Sequence, residues 1–116
     1  MRRLKRRGRK KSLLPWELWL YIANGTASSM LAQDNLRNFC HEFLPQRCDI
    51  RIVDVVKSPE AASLNDIVAI PTLVRTRPVP KKTLIGTLSN KPAVLKALSI
   101  VPTIGIAVAA PRERES

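Results

Sequence analysis

Cysteine is scarce in this chain, and its placement excludes more than its number. Of 116 residues two are cysteines, Cys40 and Cys48, well apart in sequence. Disulfide catalysis that uses a helix N-terminus to lower a thiol pKa needs Cys-x-x-Cys where a strand runs into a helix. The corresponding junction reads Asn24-Gly25-Thr26-Ala27-Ser28-Ser29, which offers hydroxyls and a turn but no thiolate. Histidine is scarcer still, with His41 alone. Beside Cys40, and with Cys48 beyond, it suggests a metal site, but adjacent helical positions point about 100° apart and no fourth ligand is evident. Cys40 reads instead as core and His41 as surface. None of the four glycines belongs to a phosphate-binding loop. Asp49 and Asp54 fall on opposite faces of an alternating strand, which excludes a working carboxylate pair. No catalytic group, metal or cofactor is expected, and the chain reads as a binding protein, not an enzyme.

Long apolar runs are missing too. Nothing approaches the roughly twenty residues that a membrane-spanning helix needs. The tract from Ile100 to Ala110 is interrupted by Pro102 and Gly105 and reads as a packed tail or an extra strand. Basic residues ahead of Leu13 to Ala23 have the outline of a secretory signal, but Pro15 and Glu17 break that tract, which encodes a strand of the body. A cytoplasmic location is expected, with both cysteines kept as reduced thiols.

Acid is absent from the first eleven positions, where Arg2, Arg3, Lys5, Arg6, Arg7, Arg9, Lys10 and Lys11 supply eight of the net +11 charges. Such a block repels itself and has little to bury, so residues 1–15 read as a disordered basic arm. It is either a contact with nucleic acid, anionic lipid or an acidic partner, or a solubilising extension. No aromatic residue interleaves with these charges, so a stacking platform for single strands is not indicated.

The body, residues 16–100, is one domain by length, and residues 101–116 form a C-terminal tail. Trp16 to Ala23 is rich in aromatic and branched residues and predicts a strand buried on both faces, ended by Asn24-Gly25. Ala32, Leu36, Phe39, Cys40 and Phe43 recur at helical spacing, which predicts an amphipathic helix capped by Thr26 or Ser28 and ended by Pro45. Ile50 to Val56 predicts a second strand, and strand, helix, strand in this order favours a parallel crossover. Ser58-Pro59-Glu60 starts a helix expected to reach about Asp66, with Ser58 as hydroxyl cap, proline in the first turn and an acid suited to the dipole. Thr72 to Arg75 predicts a third strand and Lys82 to Thr87 an antiparallel fourth. Ser89 or Asn90 can cap a last helix with Val94, Leu95 and Leu98 on its apolar side. The order β-α-β-α-β-β-α, with Ile70-Pro71-Thr72-Leu73 before the third strand, is α/β and thioredoxin-like.

Leu20-Tyr21-Ile22-Ala23, Ile52-Val53-Asp54-Val55 with Lys57-Ser58-Pro59, Ala69-Ile70-Pro71-Thr72-Leu73, and Leu84-Ile85-Gly86 with Leu88-Ser89-Asn90 resemble the KaiB family of circadian-clock proteins in order and spacing. The resemblance runs over roughly Leu18 to Ile100. It implies a non-catalytic protein that binds the ring-shaped ATPase KaiC, with a KaiA-like protein and histidine kinases as further partners. It also implies fold switching between the thioredoxin-like state and a ground-state fold, often a tetrameric homo-oligomer, in which the C-terminal half is rearranged. A cis Ile70-Pro71 bond is expected in the thioredoxin-like state.

On that reading the partner surface is Lys57, Ser58, Pro59 and Glu60 with Lys81 and Lys82, and the conformational switch involves Pro71, Pro78, Pro80, Ala97 and Ser99. The chain departs from the family at Asn24-Gly25, where Gly-Asn is typical. It departs again at Ala97 and Ser99 in the last helix, where Gly and Asp are common. Alanine favours a helix interior over glycine by about 1 kcal/mol, so Ala97 is expected to tilt the balance toward the thioredoxin-like state. Arg112-Glu113-Arg114-Glu115 stands in place of the family's acidic tail. The alternatives are a thioredoxin-fold adaptor or sensor domain for a signalling histidine kinase, and a nucleic-acid-binding protein acting through the basic arm.

Overall fold

Seven elements follow one another in the expected order in a computed structural model that describes residues 14–100. They are β1 (Trp16–Ile22), α1 (Ala27–Phe43), β2 (Cys48–Asp54), α2 (Pro59–Leu64), β3 (Thr72–Arg77), β4 (Lys82–Ile85) and α3 (Lys91–Ala97). Of the expected arm only Leu14 and Pro15 fall within the described residues; the expected tail over residues 101–116 lies outside them.

The four strands form one sheet in the order β2-β1-β3-β4. β1 and β2 pair in parallel from Trp16 opposite Cys48 to Ile22 opposite Asp54. The long helical connection through α1 makes this pairing feasible, since two parallel neighbours cannot be joined by a tight turn. β3 pairs antiparallel with β1, with a register shift at Glu17/Leu18, and β4 pairs antiparallel with β3. This mixed sheet with α-helical crossover is the thioredoxin-like α/β fold.

Alternation along β1 sorts its side chains. Leu18, Leu20 and Ile22 turn to one face and join Ala32, Leu36, Phe39, Cys40 and Leu44 of the α1 segment, Leu73 of β3, Leu88, and Val94 and Leu98 of the α3 segment in one buried cluster. Each fully buried leucine contributes about 1.5–3 kcal/mol relative to exposure. α2 supplies nothing to this cluster. The opposite face carries Trp19, Tyr21 and Val74; Tyr21 and Val74 are buried there but stand apart from the core. Within α1, the Phe39 and Phe43 rings meet tilted at 47° with centroids 4.8 Å apart, and His41 is exposed to solvent as expected.

Local chemistry explains where elements begin and end. The Thr26 side chain accepts from the Ser29 amide at 3.4 Å and donates to the Ala23 carbonyl at 2.8 Å, so of the two expected caps Thr26 is the one that closes α1. Gly25, at φ +91°, makes the turn before it. Asn90 caps α3 by accepting from the Ala93 amide at 3.1 Å. β2 lies two residues earlier than the Ile50–Val56 expected, because Asp54 turns the chain, and β4 stops at Ile85, before Gly86 at φ +123°. β3 runs on to Arg77, past the expected Arg75. The Ile70–Pro71 bond is cis, as expected, and so are Arg77–Pro78 and Val79–Pro80. Among the described residues no helix is long and apolar enough to cross a membrane.

Candidate partner-binding surface

Asp54, at the last position of β2, builds the approach to α2. Its Oδ1 accepts from the Val56 amide at 3.0 Å and from the Asn24 amide at 3.3 Å, while its carbonyl accepts from Lys57 and Ser58 at 3.1 and 3.0 Å. One carboxylate thus holds the end of β2 against the β1–α1 turn. Sequence reasoning placed Asp54 in a family motif and in an excluded carboxylate pair, but gave it no role in holding this turn. The available signal was an aspartate two residues ahead of an amide that its side chain can reach.

Ser58 stands at the N-cap of α2, yet its hydroxyl makes no capping bond, because its backbone (φ −133°, ψ 68°) departs from the usual extended cap geometry. The expected hydroxyl cap is therefore not formed. Pro59 occupies the first turn and Glu60 puts a carboxylate beside the helix N-terminus, as expected. The helix stops at Leu64, short of Asp66. Asp66, at φ 57°, closes a Schellman-type end in which the Ile67 amide donates to the Ala62 carbonyl at 2.9 Å.

No residue of α2 is buried. Leu64 of α2 is 80% exposed, as are Val56 before the helix at 70% and Val68 beyond it at 87%, while Ala61 and Ala62 are half-buried. Lys57 and Glu60 are exposed at the same end of the helix, and Lys57 forms no ion pair among the described residues. Large aliphatic side chains held this far into water around a helix that the core does not use form a surface suited to burial by another molecule.

The other two expected contact residues lie elsewhere. Lys82 pairs with Arg75, and Arg75 with Leu18, whereas Lys57 follows Asp54, the partner of Ile22. The register therefore puts Lys57–Glu60 and Lys81–Lys82 at opposite ends of the sheet. A cleft of about 270 Å³ spans part of the gap, lined by Glu17, Trp19, Tyr21, Val74 and Thr76, with Asn65 just past α2 and Lys81 at its rim. Lys81 is exposed and Lys82 half-buried.

Charge in that cleft is tied down. Glu17 accepts from the Thr76 hydroxyl at 2.5 Å and faces Arg77 at 3.6 Å and Arg51 at 3.9 Å. The Thr76 bond holds its carboxyl below the usual range; burial opposes this, and Trp19, Arg77 and Arg51 assist. Arg51 also lies 5.5 Å over the Trp19 ring and pairs with Asp49 at 3.0 Å. Tyr21 has its phenol pKa raised by burial.

Of the expected switch residues, Pro80 and the end of α3 that carries Ala97 and Ser99 meet at a buried arginine that sequence reasoning did not single out, while Pro71 stands at the other end of β3. Arg75 is 3% exposed and points to the core face of β3. Its guanidinium donates to the Leu98 carbonyl at the end of α3 and to the Pro80 carbonyl at 2.7 Å, and sits 5.3 Å over the Trp16 ring. Its Nε finds no partner among the described residues. Arg75 thus joins β3, the Pro78–Pro80 turn and the end of α3. Ala97 is the last residue of α3, so glycine there would not sit in a helix interior. Ser99 lies beyond the helix at φ 57°, in a second Schellman-type end where the Ile100 amide donates to the Leu95 carbonyl at 2.9 Å. Pro71 is buried at the entry to β3; Pro78 and Pro80 are exposed.

Among the described residues no three or more His, Cys, Asp or Glu side chains gather to hold a metal ion. A family profile described as KaiB domain matches residues 19–100. The chain is 35% identical over 96 residues to the circadian clock protein KaiB3 of Synechocystis sp. (strain ATCC 27184 / PCC 6803 / Kazusa), covering 83% of this chain and 93% of that protein. It is 39% identical over 85 residues to the circadian clock oscillator protein KaiB of Synechococcus sp. (strain RCC307), covering 72% and 76%. Among solved structures it is similar to the N-terminal domain of Synechococcus elongatus SasA, with TM-score 0.61 at 16% identity over 82% of this chain and 93% of that one. Mitochondrial thioredoxin 3 of Saccharomyces cerevisiae is similar at TM-score 0.57 and 20% identity, over 75% and 79%.

Proposed function

This chain belongs to the KaiB family of circadian-clock proteins, which are non-catalytic, and from that membership we propose that it binds a KaiC-type ATPase ring through the α2 surface. The observation that carries the reading is the helix without buried residues: Leu64, Val56 and Val68 stand in water beside Lys57 and Glu60. Burying these three side chains in an interface gives the apolar contact, at about 25 cal/mol for each Å² covered, and the flanking charges set orientation and on-rate. Ser58 and Pro59 fix the entry of the helix. Lys81 and Lys82, at the far end of the sheet, extend the contact only for a partner broad enough to cross the cleft.

Within this proposal the thioredoxin-like state is the binding state, and Pro71, Pro78, Pro80, Ala97 and Ser99 set its balance with the ground-state fold. A ligand that binds one of two states draws the population toward it, and scarcity of that state lowers apparent affinity and rate. A chain resting in the thioredoxin-like state binds without a lag. A KaiA-like protein and a histidine kinase are further partners on the same reading.

The test is co-migration with a KaiC-type ATPase hexamer on a sizing column, after minutes and after hours. The wild type is expected to co-elute at the early time, Leu64→Glu to lose most of its binding, and Lys57→Glu to weaken it. Both side chains are exposed, so circular dichroism should show the fold intact. Failure of the wild type to co-elute at either time, or unchanged binding by a folded Leu64→Glu variant, would overturn the proposal.

A further inference from the structure

The chain's two cysteines, eight positions apart in sequence, meet where α1 ends and β2 begins. Cys40 lies near the C-terminus of α1 and Cys48 opens β2, so the turn at Leu44–Arg47 brings the strand back beside the helix. Their Sγ atoms are 3.2 Å apart, and both are free thiols. Cys40 is 6% exposed and packs in the core cluster, whereas Cys48 is half-buried and reachable from solvent. The binding surface proposed above makes no use of either.

We propose that Cys40 and Cys48 are a redox-modification site, closing to an intramolecular disulfide by exchange with a small-molecule disulfide of the glutathione class. In the first step the more accessible Cys48 loses its proton, and its sulfur attacks one sulfur of the small disulfide. That S–S bond breaks, one small thiol leaves with a proton, and Cys48 carries a mixed disulfide. In the second step Cys40 loses its proton and its sulfur attacks Cys48 Sγ, expelling the second small thiol. Two protein thiols are oxidised by two electrons and one small disulfide is reduced to two thiols.

Geometry favours the second step. A disulfide bond of about 2.05 Å needs the sulfurs to approach by only about 1 Å, within the reach of side-chain rotation and small backbone shifts. Attack within one chain also outruns attack by a second chain, because the effective concentration of a neighbouring group is very high. Cys40 as a free thiol is held protonated by its hydrogen bond to Cys48, by burial and by the charge a Cys48 thiolate would carry. The first and last of these vanish once Cys48 is in a mixed disulfide, so the first step primes the second. The N-terminus of α1 carries no thiol, and this pair stands instead where α1 ends and β2 begins.

The experiment uses the full chain, reduced and then incubated with oxidised glutathione, acid-quenched and weighed by mass spectrometry. The wild type is expected to lose two hydrogens as a monomer, to fall from two titratable thiols to none, and to recover both with dithiothreitol. Trp16 lies opposite Cys48 in the β1–β2 register, so oxidation should also quench tryptophan fluorescence. Cys40→Ser should stop at one glutathione on Cys48, and Cys48→Ser should leave Cys40 unmodified. If Cys40→Ser does not fold, Cys40→Ala serves in its place. A wild type that accumulates the glutathione adduct, forms disulfides between chains, or keeps both thiols would overturn the proposal.

Discussion

Replacing Arg75 by methionine and by alanine separates the charge of this side chain from its packing. In the wild type a guanidinium with 3% exposure donates to the Leu98 and Pro80 carbonyls, covers Trp16, and leaves Nε without a partner among the described residues. Arg75→Met removes the donors. The buried Leu98 carbonyl then lacks a partner, at about 1–3 kcal/mol, while the partly exposed Pro80 carbonyl can turn to water. Loss of a cation from the C-terminal end of α3 adds about 0.5–1 kcal/mol. Against these stands the relief of no longer burying a charge and an orphaned N–H, itself worth a few kcal/mol. The opposing contributions leave a net loss of about 1 kcal/mol, since methionine still fills the space under Trp16. Arg75→Ala loses that contact as well and leaves a cavity, adding about 2 kcal/mol for a total near 3. Equilibrium urea unfolding followed by far-UV circular dichroism measures both, and m should stay constant. Equal losses for Met and Ala would show that the hydrogen-bonded charge dominates, and an Ala variant within about 0.5 kcal/mol of wild type would refute the packing role.

Two further outcomes follow from the same geometry. Ser99→Gly relieves a left-handed backbone at the end of α3, and after allowance for the greater freedom of glycine in the unfolded chain should stabilise by about 0.5 kcal/mol; a lower urea midpoint would contradict this. Glu17 has a folded pKa below its ordinary 4.5, so its contribution to stability is complete above that value and is lost as pH falls through the lowered one. Thermal midpoints from pH 3 to 7 should show an acid limb that Glu17→Gln flattens, and an unchanged limb in that variant would assign acid sensitivity to other carboxylates.

Much of the fold was legible because periodicity and punctuation agreed. Leu18, Leu20 and Ile22 alternate, Ala32, Leu36, Phe39 and Cys40 follow a helix, and Pro59 and Asn90 stand where helices begin. Boundaries slipped where a side chain from elsewhere decides them: Asp54 ends β2 by holding Asn24, thirty residues away. Ser58 had the right residue type for a cap but not the backbone angles. Arg75 could not be told from the surface arginines around it, because its burial depends on α3 closing over β3. The thiol pair was equally hidden, since nothing in the spacing of Cys40 and Cys48 reveals that a parallel crossover sets one beside the other. Of the expected partner surface, Lys57–Glu60 gathers around α2, while Lys81 and Lys82 sit at the far end of the sheet, a separation that only strand register makes visible.

A helix with no buried residue places few demands on the sequence that forms it. Substitutions at its exposed positions leave the core cluster of β1, α1, β3 and α3 in place, so on the proposed reading it is the partner that filters them. The surface can then be re-specified one side chain at a time, with stability held constant. On that reading, two paralogues sharing this core diverge in partner one exposed side chain at a time, with no intermediate sequence that fails to fold.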